Sequence, residues 1–488
     1  MKIRDILPNQ IVEGGIGNLK IKGISDDTRL AAREEVFFVK KTNNFDIFSA
    51  LKGVESKVAA FVIERKDAAR LKDLRKPVVP VDNIDNALTD AAEVYYGICG
   101  RPLKIIGITG TNGKTTTTYL IHSLLKRLGK TASLIGTTGY FIGKIRYKAT
   151  HTTPDFLTLR KLLYQSSVFG CEYAVIEVSS HAIDQKRIKG IEFSCCVFTN
   201  LSRDHLDYHG GIPAYFKAKR QLFIANPKAA LILNADDNYG KRLIREFPSA
   251  LSYGLNKDAD IRAVNLTFTK NGTFFDLLYK GDSIRVKSKF LGTHNVFNTL
   301  ASTGVLLSLG AGLKDIVSCL PFAKAVEGRL ERIEANVFVD YAHSPDALKN
   351  VLRTLRKVNY DKIVCVFGCG GDRDRGKRKL MGKVASTMAD FTFITSDNPR
   401  TESASEICKE IEKGFNKNNY SVILSRKVAI NKAMIFSRKY KNSCVLVAGK
   451  GHEDYQIIGN KKIKFKDKDA IRSLLRNIRD NETRTTSR

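Results

Sequence analysis

Apolar residues in this chain come in short bursts separated by helical periods. Val36–Val39, Val58–Ile63 and Val78–Val81 are compact, largely β-branched or aromatic runs that read as strands, and Ile84–Tyr96 carries a helical repeat. The same alternation continues through Leu103–Ile108, Cys171–Val178, Phe193–Thr199 and Ala229–Asn234. It passes into a strand-rich stretch from Ile261 to Phe290. A further set begins near Gly328, with strands at Val337–Tyr341, Lys362–Phe367, Phe391–Thr395, Ser421–Leu424 and Cys444–Ala448. Strands alternating with helices predict an α/β protein with parallel sheets under covering helices, and sites in such sheets lie at the carboxyl ends of the strands. At 488 residues the chain is too long for one core. The pattern divides it into units 1–102, 103–326 and 327–488. The tail from Asn477 is polar, basic and without period, and is expected to fray.

One strand exit carries recognisable chemistry. Leu103–Ile108 runs into a turn with Gly107, Gly110 and Gly113, then Lys114 and four threonines, then the helical set Leu120, Ile121, Leu124, Leu125 and Leu128 closed by Gly129. Glycines let backbone N–H groups approach phosphate oxygens, the helix N-terminus favours negative charge, Lys114 reaches the outer phosphates, and the Thr115 hydroxyl suits Mg²⁺. The usual phosphate-loop pattern has glycine where Ile108 stands; here the glycine is Gly107. The stretch predicts binding of a nucleoside triphosphate.

Composition narrows the class. No apolar run reaches the length of a membrane span, and MKIRDILPNQ lacks a signal-peptide core. The nine cysteines form no CxxC pair, and Cys195, Cys196 and Cys365 sit in apolar runs, which suits buried thiols in a reducing cytoplasm. Lys+Arg outnumber Asp+Glu by 81 to 50, net +31. The basic residues are spread along the chain with no nucleic-acid-binding module, so scattered surface lysines and polyanionic small ligands account for them better than nucleic acid.

Two later strands end in polar clusters. Glu177 closes an apolar strand and is followed by Ser179, Ser180 and His181; a carboxylate there suits Mg²⁺, which prefers hard oxygen donors. The next exit, Thr199–Gly210, packs Asp204, His205, Asp207 and His209 together, and His205 could ligate a second metal or contact phosphate.

GITGTNGKTTTT, EVSSH, TNLSRDHLDYHG, VDYAHSPDAL, VFGCGGDRDRGKR, DNPR and LVAGKGHEDYQ occur in this order, and together they resemble the Mur ligase family, on the branch that adds diaminopimelate. The resemblance covers nearly the whole chain and is weakest at its N-terminus. It implies three domains: one for a UDP moiety, a central P-loop ATPase, and a C-terminal Rossmann-like domain that brings the amino acid. It implies that Gly110, Thr111, Asn112, Gly113, Lys114, Thr115 and Thr116 hold the phosphates of ATP, with Asn295, Arg329 and Asp340 as further nucleotide contacts. Thr115, Glu177 and His205 look like the Mg²⁺ set, joined by Lys219 as a carbamate. Thr152, Thr153, Ser179, Gln185 and Arg187 resemble contacts to the muramoyl-dipeptide. Arg373, Asp397, Asn398, Pro399, Arg400, Gly449 and Glu453 resemble the amino-acid site. Near the N-terminus the family's Asp-Ser-Arg is Asp27-Thr28-Arg29, which keeps the hydroxyl at Thr28. A Gly-His pair is replaced by Thr42-Asn43, so Asn43, Asn44 and Phe45 stand at the uracil contacts.

The implied activity is ATP-driven amide-bond formation between UDP-N-acetylmuramoyl-L-alanyl-D-glutamate and meso-2,6-diaminopimelate, in a cytoplasmic monomer serving peptidoglycan synthesis. The amino-acid site agrees on chemical grounds: the distal zwitterion of diaminopimelate needs a partner for its carboxylate, which Arg400 can bind bidentately, and one for its ammonium, which Glu453 can accept. A lysine-adding relative or a folylpolyglutamate synthetase would share the phosphate loop without DNPR and Arg373. A nucleic-acid-dependent P-loop ATPase would show a Walker B aspartate and a concentrated basic face.

Overall fold

The computed structural model describes residues 1–486 other than 11, 13, 42–45, 98–101 and 335, with side chains through Arg476. Three sheets organise it. The first is a four-stranded parallel sheet of Gly23–Ser25, Glu35–Phe38, Ala60–Glu64 and Val78–Val81, adjacent in chain order. Alternation decides its two faces. Val36, Phe38 and Val62 pack under the Ile84–Tyr95 helix, while Phe37, Phe61 and Ile63 pack against the Ile47–Glu55 helix.

The second sheet has eleven strands, with Lys104–Thr109 near its centre between Cys195–Phe198 and Tyr173–Glu177. Its central strands are parallel, as the alternation predicts. Both edges are antiparallel, an addition to the parallel sheet that the alternation predicts. Ala132–Gly136, Gly139–Ile142 and Ile145–Tyr147 meander at one edge, and Ile261–Thr269, Gly272–Tyr279 and Asp282–Ser288 at the other. The physical reason is visible at Lys280-Gly281, where both residues have positive φ (48° and 88°), the backbone of a two-residue hairpin turn. The helices Lys114–Arg127 and Thr293–Ser308 cover the face that buries Ile106, Ile108 and Val197.

The third sheet, of six strands, is parallel except for its first strand, Glu331–Glu334. Tyr455–Ile458 and Lys461–Lys464 form a separate hairpin. The last helix, Asp467–Thr486, extends through residue 477, and Ile471, Leu474 and Leu475 anchor it on the sheet. No helix among the described residues is long and apolar enough to cross a membrane.

Candidate nucleotide and amino-acid site

The Lys104–Thr109 strand delivers a tight turn into the Lys114–Arg127 helix. Gly110 and Gly113 have φ of 146° and 89°, and a Cβ at Gly113 would sit 2.5 Å from Asn298 Oδ1, so the turn depends on glycine there. The neighbouring strand exit pins the loop: Thr111 N donates to Asn200 O (2.8 Å) and Asn112 N to Asn200 Oδ1 (3.0 Å). Lys114 Nζ lies over its own loop, donating to Gly110 O and Thr111 O, both at 2.8 Å. Burial pushes its pKa below the ordinary ammonium value, with Glu177 and Asp204 pulling back. Thr115 and Thr116 are buried in the first helical turn.

Glu177 is fully buried at the end of its strand. Its Oε2 accepts from Thr115 Oγ1 (2.9 Å) and Thr137 Oγ1 (3.0 Å), and its Oε1 from Thr137 N (2.9 Å). His205 has left-handed φ (54°), and its Nε2 stands 3.5 Å from Asp204 Oδ2. Burial lowers its pKa to about 4, so the imidazole is neutral at physiological pH. Lys219, on the Ile212–Ile224 helix, is 1% exposed; its Nζ donates to Gly110 O (2.9 Å) and lies 4.6 Å from the centre of the Tyr215 ring. Burial pushes its pKa well below the ordinary value, and the Lys114 charge adds to the shift. No three His, Cys, Asp or Glu side chains among the described residues are arranged to hold a metal by themselves.

A cleft of about 620 Å³ opens over the loop, between the second and third sheets. Thr111–Thr116, Glu177, Asp204, His205, Asn295, Arg329, Asp340 and His343 all line it. Arg329 crosses from the third unit: Nη2 donates to Thr115 Oγ1 (3.1 Å), and the guanidinium lies 4.5 Å from the Tyr341 ring centre. Asp340 accepts from Leu330 N and Ala342 N, and burial raises its pKa to about 6. Asn295 is spent internally, donating to Leu291 O and accepting from Asn298 Nδ2.

Thr152, Thr153, Ser179, Gln185 and Arg187 meet at the Glu177 strand exit. Thr137 Oγ1 lies 3.1 Å from Thr152 Oγ1, Thr153 Oγ1 donates to Glu177 O (2.7 Å) and Ser179 N to Thr153 Oγ1 (3.0 Å). Arg187 spans Thr153 O (2.8 Å) and Gln185 Oε1 (2.6 Å). Thr28 is half-buried beside the Asp27–Arg29 ion pair. The neighbouring Asp26 is raised to about 6 by burial and by Asp155 of the second unit, so this turn faces the His151–Asp155 segment. Asn43, Asn44 and Phe45 lie outside the described residues.

The DNPR and GKGHE segments converge at the end of the third sheet. Gly371 N donates to Asn398 O (2.9 Å), and Arg400 Nη1 to Gly371 O (2.6 Å). Arg373 is exposed on the facing turn; a Cβ at Gly370 would lie 3.0 Å from Arg400 Nη1 and 3.9 Å from Arg373 Cγ. Pro399 continues the turn, and its carbonyl accepts from Glu402 N (3.1 Å). A Cβ at Gly449, whose φ is 109°, would meet Asp397 Oδ2 at 2.6 Å. Glu453 Oε2 accepts from Asn398 Nδ2 (2.9 Å) and from Lys450 Nζ (2.8 Å). The ammonium on Glu453 is therefore the chain's own. The loop also reaches the nucleotide cleft, with His452 5.3 Å from the Tyr341 ring.

The sequence reading missed Thr137, Asn298, His343 and Lys450 as members of this arrangement. Asn298, one helical turn beyond Asn295, carried a spacing signal; Thr137 carried none, because it reaches Glu177 only across paired strands.

Comparison with known proteins bears on the whole chain. The family model for the Mur ligase middle domain matches residues 108–306, and that for the Mur ligase glutamate ligase domain matches 328–451. UDP-N-acetylmuramoyl-L-alanyl-D-glutamate–2,6-diaminopimelate ligase 1 of Clostridium acetobutylicum is 37% identical, covering 98% of this chain and all of its own length. A solved structure of a UDP-N-acetylmuramoyl-L-alanyl-D-glutamate–2,6-diaminopimelate ligase superposes with a TM-score of 0.69 at 30% identity, over 98% of this chain and 99% of that one. The MurF ligase of Thermotoga maritima in complex with ADP shares the fold, with a TM-score of 0.63 at 18% identity over 88% of this chain and 93% of that one.

Proposed function

The chain belongs to the Mur ligase family, and from that premise we infer that it joins meso-2,6-diaminopimelate to the D-glutamyl γ-carboxylate of UDP-N-acetylmuramoyl-L-alanyl-D-glutamate, with ATP, in peptidoglycan synthesis. The observation that carries the amino-acid choice is the Arg400 guanidinium beside Gly370 and Gly371, with the exposed Arg373 on the facing turn donating to Asp372 O (3.0 Å). The three sheets are read as three domains, 1–102, 103–326 and 327–488, closing on a shared cleft. ATP and a nucleotide-linked acceptor suit a cytoplasmic enzyme.

The reaction needs a carboxylate to approach a triphosphate, so charge is the obstacle. The γ-carboxylate oxygen attacks the γ-phosphorus, the bond to the bridging oxygen breaks, and ADP leaves an acyl phosphate. The amine of diaminopimelate then attacks the acyl carbon, loses a proton, and phosphate departs. Lys114 and the loop N–H groups would hold the phosphates, Arg329 would add charge from the third unit, and Arg187 with Thr152 and Thr153 would orient the dipeptide. Closing the units over the acyl phosphate would keep water out. Magnesium fits the oxygen donors present, because the Thr115 hydroxyl and the Glu177 carboxylate adjoin at 2.9 Å. Mg²⁺ takes one or two carboxylates together with substrate phosphates rather than a full protein cage. Thr115, Glu177, His205 and a carbamylated Lys219 would hold it, and it would neutralise phosphate charge.

The test is phosphate release from ATP with the UDP-muramoyl dipeptide, comparing meso-diaminopimelate with L-lysine. Preference for lysine, or release dependent on nucleic acid, would overturn the reading. Arg400→Ala should lower kcat/KM for diaminopimelate about 30- to 100-fold, the lower part of the range for removing one partner of a charge pair, since the site is partly open to solvent. Lysine, which lacks the distal carboxylate, should lose far less. A constant ratio between the two substrates would remove Arg400 from the specificity site. Thr137→Val should raise the Mg²⁺ concentration for half-maximal rate about tenfold, by removing the hydroxyl that anchors Glu177 Oε2 while the backbone N–H bond to Oε1 remains. An unchanged Mg²⁺ requirement would show that Thr137 does not position that carboxylate.

A further inference from the structure

The amino-acid site contains a lysine that faces no solvent. The Lys450 side chain is 0% exposed, directly after Gly449 in the GKGHE segment, while Glu453 keeps 15% of its side chain exposed. Lys450 Nζ donates to Glu453 Oε2 (2.8 Å) and Asn398 Oδ1 (3.2 Å) and lies 5.4 Å from the Tyr455 ring centre. Asn398 is fixed in one orientation. Its Oδ1 takes Lys450 and Ile457 N (3.0 Å), and its Nδ2 turns to Glu453. An ordinary structural lysine would lie along the surface with its head in water. This one spends its charge on the carboxylate assigned to the substrate's ammonium.

We propose that Lys450 is a specificity-determining residue of this site: it offsets the charge of Glu453 from inside the protein, leaving the Arg400 guanidinium as the charge that meets the distal end of the amino acid. This rests on the proposed function. A distal end carrying a carboxylate as well as an ammonium is then accepted. A distal end that is ammonium alone, as in lysine, meets the Arg400 guanidinium and a carboxylate already engaged. Discrimination comes from a repulsive element as well as an attractive one. Neither Lys450 nor Asn398 needs to touch substrate for this; Asn398, whose carbonyl is fully engaged, acts as a positioning residue.

The experiment measures kcat/KM for meso-diaminopimelate and L-lysine in wild type, Lys450→Met, Glu453→Gln and the double variant Lys450→Met/Glu453→Gln. Lys450→Met leaves Glu453 uncompensated, and the diaminopimelate-to-lysine ratio should fall about tenfold or more, mainly through KM. The double variant has the charge of the wild type, and its ratio should return to within about threefold of it. Glu453→Gln leaves Lys450 uncompensated and should raise the ratio; it also keeps the proposal testable if Lys450→Met does not fold. An unchanged ratio in either single variant, or a double variant as unselective as Lys450→Met, overturns the proposal. A wild-type enzyme that does not turn over diaminopimelate would instead sink the proposed function, before any variant is compared.

Discussion

Lys114→Ala should lower ATP-dependent ligation by about 10³–10⁵-fold, the range for removing a cation that neutralises charge on a transferred phosphoryl group. Its place explains the size. Lys114 opens the helix that follows the glycine turn, and its Nζ lies against the Gly110 and Thr111 carbonyls, inside the cleft that Arg329 and Glu177 also line. Burial already disfavours its charged form, so the ammonium there is costly and gains most from a triphosphate. The fold should survive, because the side chain bonds only its own loop, which Asn200 pins independently. The measurement is ADP formation by the variant, with circular dichroism and thermal unfolding as controls. Turnover within about tenfold of wild type from a folded variant would remove the phosphate-loop assignment.

Much of this site is readable in the chain because its chemistry is local. The phosphate loop is a contiguous strand, turn and helix, and Glu177, His205 and Arg400 each sit in a motif at a strand end, where α/β sheets place their sites. Buried parallel strands such as Lys362–Phe367 and Ser443–Ala448 announce themselves as unbroken apolar runs. What was not legible is what depends on pairing between distant segments. The antiparallel edges turn on hairpins such as Lys280-Gly281, a weak local signal. Thr137 is tied to Glu177 by a bond spanning forty residues. Asp204 faces His343 of the third unit at 4.0 Å, a contact no single-segment motif encodes. Charge compensation is equally invisible: the sequence offered Glu453 to a substrate ammonium, and the fold gives it Lys450.

Lys219→Ala should lower turnover by about 10²–10³-fold, the effect of losing one preorganised electrostatic group at the reacting centre. The hypothesis is that Lys219 carries a carbamate that helps hold Mg²⁺. Carbamate formation joins a neutral amine to CO₂ and releases a proton, so it needs an amine that is unprotonated at neutral pH. The surroundings of Lys219 favour that form: it is buried against Tyr215, and it shares the Gly110 carbonyl with Lys114, whose charge further disfavours a second ammonium. The sign of the linkage gives a second readout. The folded pKa lies below the unfolded one, so the unfolded chain holds this proton more tightly, and burial of this amine opposes folding at every pH below the ordinary ammonium value. Lys219→Met, which keeps the apolar bulk, should therefore raise Tm at neutral pH while lowering turnover as far as Lys219→Ala does. Bicarbonate should raise the Tm of the wild type, because it modifies only the folded chain, and should leave Lys219→Met unmoved. Short carboxylic acids should restore part of the rate of Lys219→Ala by filling the vacated anion position. A wild type that is active with Mg²⁺, shows no carbamate resonance under ¹³C-labelled bicarbonate and has a Tm indifferent to bicarbonate would reduce Lys219 to a buried amine that braces the Gly110 carbonyl.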